Sequence, residues 1–389
     1  MKVLIFMTQF YQLGGAEKLA VELAEKLNER GIHADILSMY TEDIPGVIEA
    51  KETILNKGIP AVHFLGMKIH PSIASMAPAA LKLRRLIHKH GYDIIETSLM
   101  SPTIIASFAT LGMRVRHIAG LHQVFTKKYY NSKKHMFLKL STQLNRYIRY
   151  YAISDYVAED WIKYSGTSAR HIRRIYNSIS DDYFTTISDR TGVRNEFELP
   201  QDGRIAIYVG RLAAYKGLNT LLDALGPILQ KHNLFLLYIG NPDIFVKGTK
   251  AMLEQMEKKI EQRNWSERVK FISFRDDIPR LMASANILVH PTQKDGFGLV
   301  LAEAMASGLP VVATNVEGIP EVLSETDSIM VAQDDSIGLR EAVLKTLNRS
   351  SDNSAIAIQK GRNKAQFFRN EIRTDAMINL FKDVLSDRL

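Results

Sequence analysis

Cysteine is absent from the 389-residue sequence. Disulfides, thiolate metal sites and cysteine nucleophiles are therefore excluded. The sequence also lacks an apolar run of the roughly 18–20 residues that a membrane-spanning helix needs. Its first residues, MKVLIFMTQF, do not have the layout of a cleavable signal and predict a buried strand. From these absences we expect a cytoplasmic protein.

Several motifs of catalytic chemistry are also missing. No D-x-D or H-E-x-x-H motif occurs and no histidines cluster, so we expect no catalytic metal. The pattern G-x-x-x-x-G-K-[ST] is absent as well, which argues against a P-loop ATPase.

Acidic residues are scarce in one part of the chain. Residues 1–178 carry a formal charge of +10 and the remainder −2, within a total of +8. Residues 97–154 contain nine Lys and Arg and no Asp or Glu. This asymmetry predicts an anionic partner for the first half of the chain.

Hydrophobic periodicity alternates between strands and helices. KVLIFM predicts a strand, and Leu19, Leu23 and Leu27 lie at helical spacing in the segment that follows. The alternation restarts at RIAIYVG after a polar stretch near 178–203. This pattern predicts an α/β protein with two doubly wound parallel-sheet domains of similar size. Because ligands bind at the carboxyl ends of such strands, the candidate site is expected to face the cleft between the domains.

The segment DGFGLVLAEAMASGLPVVATN, residues 295–315, places a carboxylate inside an apolar helix that is expected to begin near Gly298. The N–H groups at a helix start suit a phosphate or a sugar hydroxyl. Glu303, on the same helix face as Leu299, suits a ribose diol. The alternative is structural, because Asp295 also suits a helix cap and an isolated D-x7-E pattern is common by chance.

Two shorter motifs also follow strands. IAIYVG ends at Gly210 and Arg211, and Lys216 precedes the next helix, so two cations beside a helix start suit a diphosphate. A solvated loop is the alternative. Gly14 and Gly15 predict a tight turn after the first strand, without the dinucleotide fingerprint G-x-G-x-x-G.

Two polar residues of the first half are further candidates. His122 ends a predicted strand, where it suits hydrogen bonding to a substrate or acid–base chemistry. A lone histidine is more often structural, and spacing does not favour His122 over His117. Asn177 follows another predicted strand and suits either a turn or an amide that lines the cleft.

Taken in order, these motifs resemble those of the retaining glycosyltransferases of family 4, which have the GT-B fold. GGAEKLA is similar to the glycine loop after the first strand, AGLH to the N-domain histidine segment, and RRIYNSIS to I-x-V-I-x-N-G-I-D. YVGRLAAYKGLNTLLDAL resembles G-R-L-x-x-x-K-G, and HPTQKDGFGLVLAEAMASGLPVVATNVEGIPEVL resembles the E-x7-E block. QFFRNEIRTDAMINLFKDVL resembles the segment that returns to the N-terminal domain, so the likeness covers nearly the whole chain.

The resemblance implies two Rossmann-like domains facing a cleft. Residues 1–178 would form the acceptor-binding domain, with a C-terminal helix of about 366–389 packed back on it. Residues 179–365 would bind the donor, a nucleoside diphosphate sugar in which the sugar is linked to UDP or GDP. The acceptor would be a glycan or a lipid-linked molecule in polysaccharide or glycolipid synthesis.

The resemblance also assigns roles to residues. Arg211 and Lys216 would hold the diphosphate, Glu303 the ribose diol, and His122 and Asp295 would contact the donor sugar. The other implied donor-site positions are Gly14, Gly15, Asn177, Gly210, Gly296, Phe297, Gly298, Leu299 and Val300. The reaction would retain the anomeric configuration and need no metal and no cofactor.

Two departures from the family pattern leave an alternative open. Asp295 stands where the first glutamate of E-x7-E is expected, and Asn177 is followed by serine rather than glycine. A catalytically silent partner that binds nucleotide sugars is therefore the alternative from another class. An epimerase or a phosphorylase on the same fold is disfavoured, because the former lacks these ordered blocks and the latter needs a much longer chain.

The acid-free segment predicts a partner for the first domain. It contains VFTKKYYNSKKHMFLKL, in which basic and aromatic residues alternate, a composition that suits anionic lipid head groups at the inner membrane face. A solvated basic face is the alternative. Nucleic acid is not expected, because no nucleic-acid-binding motif accompanies the charge.

Overall fold

The computed structural model of the chain describes residues 1–10, 15–69, 72–125, 133–145, 147–243 and 246–386. It divides into two compact units. The first combines Met1–Ser178 with Asn370–Leu389, and the second is Ile179–Arg369.

The first unit contains a parallel sheet. Its strands are β1 (Lys2–Met7), β2 (His33–Tyr40), β3 (Val62–Met67), β4 (Ile94–Thr97), β5 (Arg116–Leu121), β6 (Arg149–Ala152) and β7 (Ile172–Arg174). Its helices up to Ser178 are α1 (Gly15–Glu29), α2 (Val47–Asn56), α3 (Met76–His90), α4 (Met100–Ala109), α5 (Lys133–Leu144) and α6 (Asp155–Ser165). The strand order is β3-β2-β1-β4-β5-β6-β7, as expected for a doubly wound sheet.

The second unit repeats this plan. Its strands are β8 (Arg204–Val209), β9 (Leu234–Ile239), β10 (Val269–Ile272), β11 (Ile287–His290), β12 (Val311–Thr314) and β13 (Ile329–Val331), in the order β10-β9-β8-β11-β12-β13. Its helices are α7 (Asp182–Thr185), α8 (Arg190–Glu196), α9 (Leu218–Leu225), α10 (Thr249–Gln262), α11 (Ile278–Ser284), α12 (Leu299–Ala306), α13 (Ile319–Val322), α14 (Ser336–Leu347) and α15 (Ser351–Ala365).

Both sheets have a point at which the strand order reverses. In the first unit the chain builds outward from β1 to β3 and then returns to place β4 on the other side of β1. In the second unit β8 and β11 are neighbours in the same way. Loops that follow such paired strands diverge and leave a crevice at the carboxyl edge of the sheet. These two positions are therefore where ligand-binding loops are expected.

Helix α16 (Asn370–Ser386) belongs to the first unit although it follows the second unit in sequence. Its buried residues include Met377 and Phe381, which join the core formed by β1, β2, α1 and α2. The guanidinium of Arg373 on α16 donates to the backbone oxygen of Leu19 on α1 at 3.1 Å, and Arg30 pairs with Glu371. The core of the first unit is thus built from both ends of the chain.

Two loops of the second unit contain further local structure. The polar stretch near 178–203 contains α7 and α8, and the side chain of Asp189 caps α8 by accepting from the N–H of Gly192. Helix α9, which follows Lys216, ends at Leu225. A Cβ at Gly226 would lie 2.2 Å from the ring of Trp265, so that glycine gives the indole room to pack.

Candidate active site

Arg211 and Lys216 lie in the loop between β8 and α9. Gly210 and Arg211 follow β8 directly, and Lys216 ends a 3-10 turn immediately before α9. The Arg211 guanidinium donates to the carboxylate of Asp243 and, at 3.0 Å, to the hydroxyl of Tyr215. The Arg211 side chain is 68% exposed, so it projects a positive charge into solvent at the carboxyl edge of the sheet.

The β8–α9 loop is fastened to the loop that follows β11. The N–H of Gln293 donates to the backbone oxygen of Tyr215 at 2.9 Å. Gly217 has a φ of +70°, and a Cβ there would lie 1.9 Å from the backbone oxygen of Pro291. Only glycine fits such a close approach at a left-handed position. The two loops at the strand-order reversal are therefore held as one piece.

Asp295 connects the two loops through its side chain. Its Oδ2 atom lies 2.9 Å from Nζ of Lys216 and 3.3 Å from Nε2 of His290. Its Oδ1 atom accepts hydrogen bonds from the backbone N–H of Gly298 at 2.8 Å and of Phe297 at 3.3 Å. One carboxylate thus orders the loop before α12 and fixes the position of the Lys216 ammonium.

The electrostatics of this group favour the charged carboxylate. Burial raises the pKa of Asp295, but Lys216 and His290 outweigh it and hold that pKa well below its usual range. Burial lowers the pKa of His290, whose ring is only 2% exposed, so the imidazole is neutral near pH 7. The charges at this contact are therefore the Asp295 carboxylate and the Lys216 ammonium. The Arg211 guanidinium lies in the same β8–α9 loop as Lys216.

The start of α12 is partly occupied by protein atoms. The resemblance implied that residues 296–300 meet the ligand, but the N–H groups of Phe297 and Gly298 donate to Asp295 instead. Leu299 and Val300 form the first turn of α12, where an α-helix provides no carbonyl partner for its N–H groups. Gly296 precedes this turn in the same loop. Helix α12 begins one residue after Gly298, as the sequence predicted.

Glu303 lies in the second turn of α12, four residues after Leu299 and on the same helix face. Its neighbours Leu301, Ala302, Ala304 and Met305 are buried, whereas Glu303 is only half-buried. Glu303 is therefore the one polar residue in an apolar helix. It lies on the face of Leu299, the residue that begins α12 after the loop of Asp295.

The candidates in the first unit stand in different surroundings. Gly15 is the first residue of α1. Gly14 lies outside the described residues, as do Lys127, Lys128 and Arg146 of the basic segment. Asn177 is 4% exposed, and in the part of the chain that the structure describes its Oδ1 atom has no hydrogen-bond partner.

The structure distinguishes the two histidines of β5. His117 is 1% exposed, and its Nε2 atom lies 2.9 Å from Oγ1 of Thr97, so it fills a structural role in the core. His122 follows the last residue of β5 at the carboxyl edge and is half-buried. Burial, with a contribution from the charge of Arg373, lowers the pKa of His122 to about 3. His122 is therefore neutral at physiological pH.

Sequence reasoning missed two residues that complete the site in the second unit. His290 ends β11, stacks on the ring of Tyr208 with an interplanar angle of 9° and contacts Asp295. Asp243 follows β9 and holds Arg211. His290 is the last residue of an apolar strand and Asp243 lies in the loop after another, and that position was the available signal.

The described residues provide neither a metal-binding cluster nor a membrane-spanning helix. They contain no group of three or more His, Asp or Glu side chains that could hold a metal ion. Within the same ranges no helix is both long enough and apolar enough to cross a bilayer.

Comparison with known families assigns both units. The family described as "Glycosyl transferases group 1" matches residues 189–364, and "Glycosyltransferase Family 4" matches residues 13–183. N-acetyl-alpha-D-glucosaminyl L-malate synthase of Bacillus anthracis is 24% identical over 406 residues, covering 100% of this chain and 98% of that protein. The expected resemblance is confirmed by these matches.

Solved structures share the fold. Anabaena Alr3699/HepE in complex with UDP has a TM-score of 0.83 at 22% identity and covers 98% of this chain and 100% of its own. The same protein in complex with UDP-glucose gives a TM-score of 0.81. WaaG, a glycosyltransferase involved in lipopolysaccharide biosynthesis, has a TM-score of 0.74 at 19% identity and covers 97% of this chain and 99% of its own.

Two Rossmann-like domains with parallel sheets of seven and six strands define the class of GT-B transferases. The chain belongs within that class to the family 4 glycosyltransferases.

Proposed function

We propose that the protein is a retaining glycosyltransferase that moves a sugar from a UDP- or GDP-linked donor to a glycan or lipid-linked acceptor without a metal. The arrangement of Arg211, Lys216 and Asp295 at the strand-order reversal of the second unit carries this proposal. Ligands of the solved Anabaena complexes, UDP and UDP-glucose, support a nucleoside diphosphate sugar as donor. The product would enter a cell-surface polysaccharide or a glycolipid.

Arg211 and Lys216 would bind the diphosphate. Asp295 takes one of the three N–H donors of the Lys216 ammonium, and Asp243 and Tyr215 take two of the five donors of Arg211. The remaining donors suit phosphate oxygens. Lys216 is only 14% exposed, and in such a water-poor site its charge acts more strongly than in bulk water.

The proposed reaction is a displacement on one face of the sugar. The acceptor oxygen bonds to the anomeric carbon on the face from which the diphosphate leaves, so the configuration is retained. The electron pair of the broken carbon–oxygen bond goes to the diphosphate, whose oxygen takes the proton of the acceptor hydroxyl. Arg211 and Lys216 stabilise the charge that develops there.

The other candidate residues would position the donor. Glu303 has two carboxylate oxygens, which suit the two hydroxyls of a ribose. His122 of the first unit would contact the donor sugar, and Asp295 would orient Lys216 toward the phosphate. Gly15 and the first turn of α12 at Leu299 would offer backbone N–H groups.

A thermal-shift panel of nucleoside diphosphates and nucleotide sugars tests the donor. A ligand that binds only the folded protein at 100 times its Kd adds about 2.7 kcal/mol to the free energy of unfolding. We expect the nucleotide sugar with the preferred base and sugar to raise the Tm most. We also expect its nucleoside diphosphate to be released when an acceptor glycan is added. A rise in Tm without release of nucleoside diphosphate on any acceptor would favour the silent partner. A proton spectrum that showed inverted anomeric configuration in the product would contradict retention.

Helix α5 supports a lipid-linked acceptor. Met136, Leu140 and Leu144 repeat at a spacing of four residues and are 63%, 47% and 53% exposed, and Tyr147 just after the helix is 50% exposed. Exposed Lys139 lies among them. An apolar stripe with basic neighbours suits the interface of an anionic bilayer, where each cation adds about 1 kcal/mol. We propose that this face, the α5 stripe, docks on the inner membrane surface.

Co-sedimentation with liposomes tests the α5 stripe. We expect binding to anionic vesicles at low salt, weaker binding at moderate salt, and loss of binding when Met136, Leu140 and Leu144 become serine. Vesicle binding should also weaken when glutamine replaces the basic residues Lys127, Lys128, Lys133 and Lys134. Leu81→Ser, which removes a 59% exposed leucine of α3, is the matched control. No binding to anionic vesicles at low salt would leave a soluble acceptor.

A further inference from the structure

A buried carboxyl group lies in the sheet of the first unit and is not used in the reaction above. Glu96 of β4 is 0% exposed. Its Oε1 atom accepts hydrogen bonds from the hydroxyls of Ser98 and Tyr151, both at 2.7 Å. Within the ranges that the structure describes, its Oε2 atom has no hydrogen-bond partner. Burial raises the pKa of Glu96, although the two hydroxyl hydrogen bonds oppose that shift.

Tyr151 links this carboxyl group to His122. The Tyr151 hydroxyl oxygen lies 3.2 Å from Nε2 of His122, and the two rings meet edge to face with centroids 5.7 Å apart. Gly120 on β5 makes the contact possible. A Cβ at that position would lie 2.4 Å from the Tyr151 hydroxyl oxygen and 2.9 Å from Nε2 of His122.

The number of protons in this chain of groups decides which nitrogen of His122 is protonated. The Tyr151 hydroxyl has one proton, and the Glu96 oxygen at 2.7 Å is a closer acceptor than the His122 nitrogen at 3.2 Å. A proton taken up by Glu96 would go to its unpartnered Oε2 atom, so Oε1 would still accept from the Tyr151 hydroxyl. In either state of Glu96, Tyr151 donates its one proton to Glu96 and has none left for His122. The proton of the Tyr151–His122 hydrogen bond therefore comes from Nε2 of His122.

We propose that Glu96 and Tyr151 are positioning residues that hold neutral His122 with its proton on Nε2 and a lone pair on Nδ1. A neutral imidazole donates from one nitrogen and accepts at the other, and the partner of the first fixes the role of the second. His122 then presents an acceptor for a hydroxyl group and no second N–H donor.

The consequence for catalysis rests on the proposed function. If His122 contacts the donor sugar, its Nδ1 atom accepts a hydrogen bond from a sugar hydroxyl. This contact fixes the orientation of the sugar ring, whose anomeric carbon must react. A misplaced sugar loses near-attack geometry, so this contact acts on kcat as well as on binding.

The tautomer of His122 can be measured without any substrate. Long-range proton–nitrogen spectra of protein labelled with nitrogen-15 in histidine distinguish a protonated from an unprotonated ring nitrogen, and His122→Gln assigns the signals. We expect Nε2 protonated and Nδ1 unprotonated in the wild type at pH 7. A wild-type signal with the proton on Nδ1 would overturn the proposal, whatever the enzyme transfers.

Tyr151→Phe removes the hydroxyl and keeps the ring. We expect the His122 signals to shift toward a mixture of tautomers and kcat to fall by about tenfold while KM changes less. Tyr150→Phe is the matched control, because it removes a hydroxyl from the neighbouring buried residue of β6 and leaves the Glu96–Tyr151–His122 contacts in place. An unchanged His122 tautomer in folded Tyr151→Phe protein would refute the positioning role. A wild type that is inactive on every nucleotide sugar would count against the proposed function alone.

Discussion

Exchange of Asp295 for asparagine would remove a charge and keep the size of the side chain. The amide oxygen can replace Oδ1, which accepts from the N–H of Gly298 at 2.8 Å. The amide nitrogen would then occupy the position of Oδ2 and turn an N–H donor toward Lys216 at 2.9 Å, where an acceptor is needed. The substitution therefore tests the ion pair and spares the backbone contact that orders the loop.

The distance between the charges sets the expected magnitude. Two unit charges 2.9 Å apart attract by about 6 kcal/mol at an effective dielectric constant of about 20. Desolvation cancels part of this attraction, and loss of one partner of a buried pair typically costs about 3–5 kcal/mol. Because the side chains remain 14% and 21% exposed, we expect a coupling energy of about 2–3 kcal/mol between Asp295 and Lys216.

A double-mutant cycle measures this coupling. The four proteins are the wild type, Asp295→Asn, Lys216→Met and the double variant, each unfolded with urea. The sequence has two tryptophans, and in a Trp161→Phe background the fluorescence of Trp265 reports on the second unit. Independent sites add within about 0.5 kcal/mol, so additive single losses would refute the ion pair as a stabilising contact.

The same cycle has a pH dependence of known sign. The pKa of Asp295 in the folded protein is depressed, so its stabilising effect is complete above the unfolded value of about 3.9 and is lost as the pH falls through the lower folded value. We expect a constant coupling energy between about pH 5 and 8 and a decline below about pH 4. A coupling energy that rose on acidification would contradict this assignment of charge.

Three further outcomes are expected. Lys216→Ala and Arg211→Ala should each reduce turnover by about 10²-fold or more, whereas Lys250→Ala, a change of a 90% exposed lysine on α10, should not; near-normal turnover of folded Lys216→Ala would exclude the diphosphate role. Glu303→Gln should weaken binding of the normal donor more than binding of its 2′-deoxy analogue, because an amide accepts with one oxygen only; equal losses by calorimetry would argue against ribose contact. Phe381→Ala should lower the free energy of unfolding of the first unit by about 3–5 kcal/mol, since this ring is fully buried; a loss below about 1 kcal/mol in urea unfolding would show that α16 is not part of that core.

Periodicity carried much of the fold prediction. Leu19, Leu23 and Leu27 are all buried on α1, and KVLIFM coincides with β1. Such patterns are local, because a helix or a strand must turn its apolar side chains toward the core at its own period. The packing of the Trp265 indole against Gly226 was not local, since these residues lie 39 positions apart in the chain.

The site shows the same division. Arg211, Lys216 and Asp295 could be selected from sequence because they follow strands and precede helices, where ligand loops occur. Their pairing could not, since the contacts of Lys216 with Asp295 and of Arg211 with Asp243 join residues from different strand–helix units. The occupation of the Gly298 N–H by Asp295 likewise depends on a side-chain conformation that spacing does not encode.

The place of α16 in the chain constrains how the protein can be made. During synthesis residues 1–178 emerge first, yet Met377 and Phe381, which close their core, are added only after the whole second unit. The second unit is continuous in sequence and can fold as soon as it leaves the ribosome. The domain begun first is therefore completed last, and until then it exposes the apolar surface of α1 that α16 covers. Chaperone binding to nascent chains should accordingly persist until α16 has emerged.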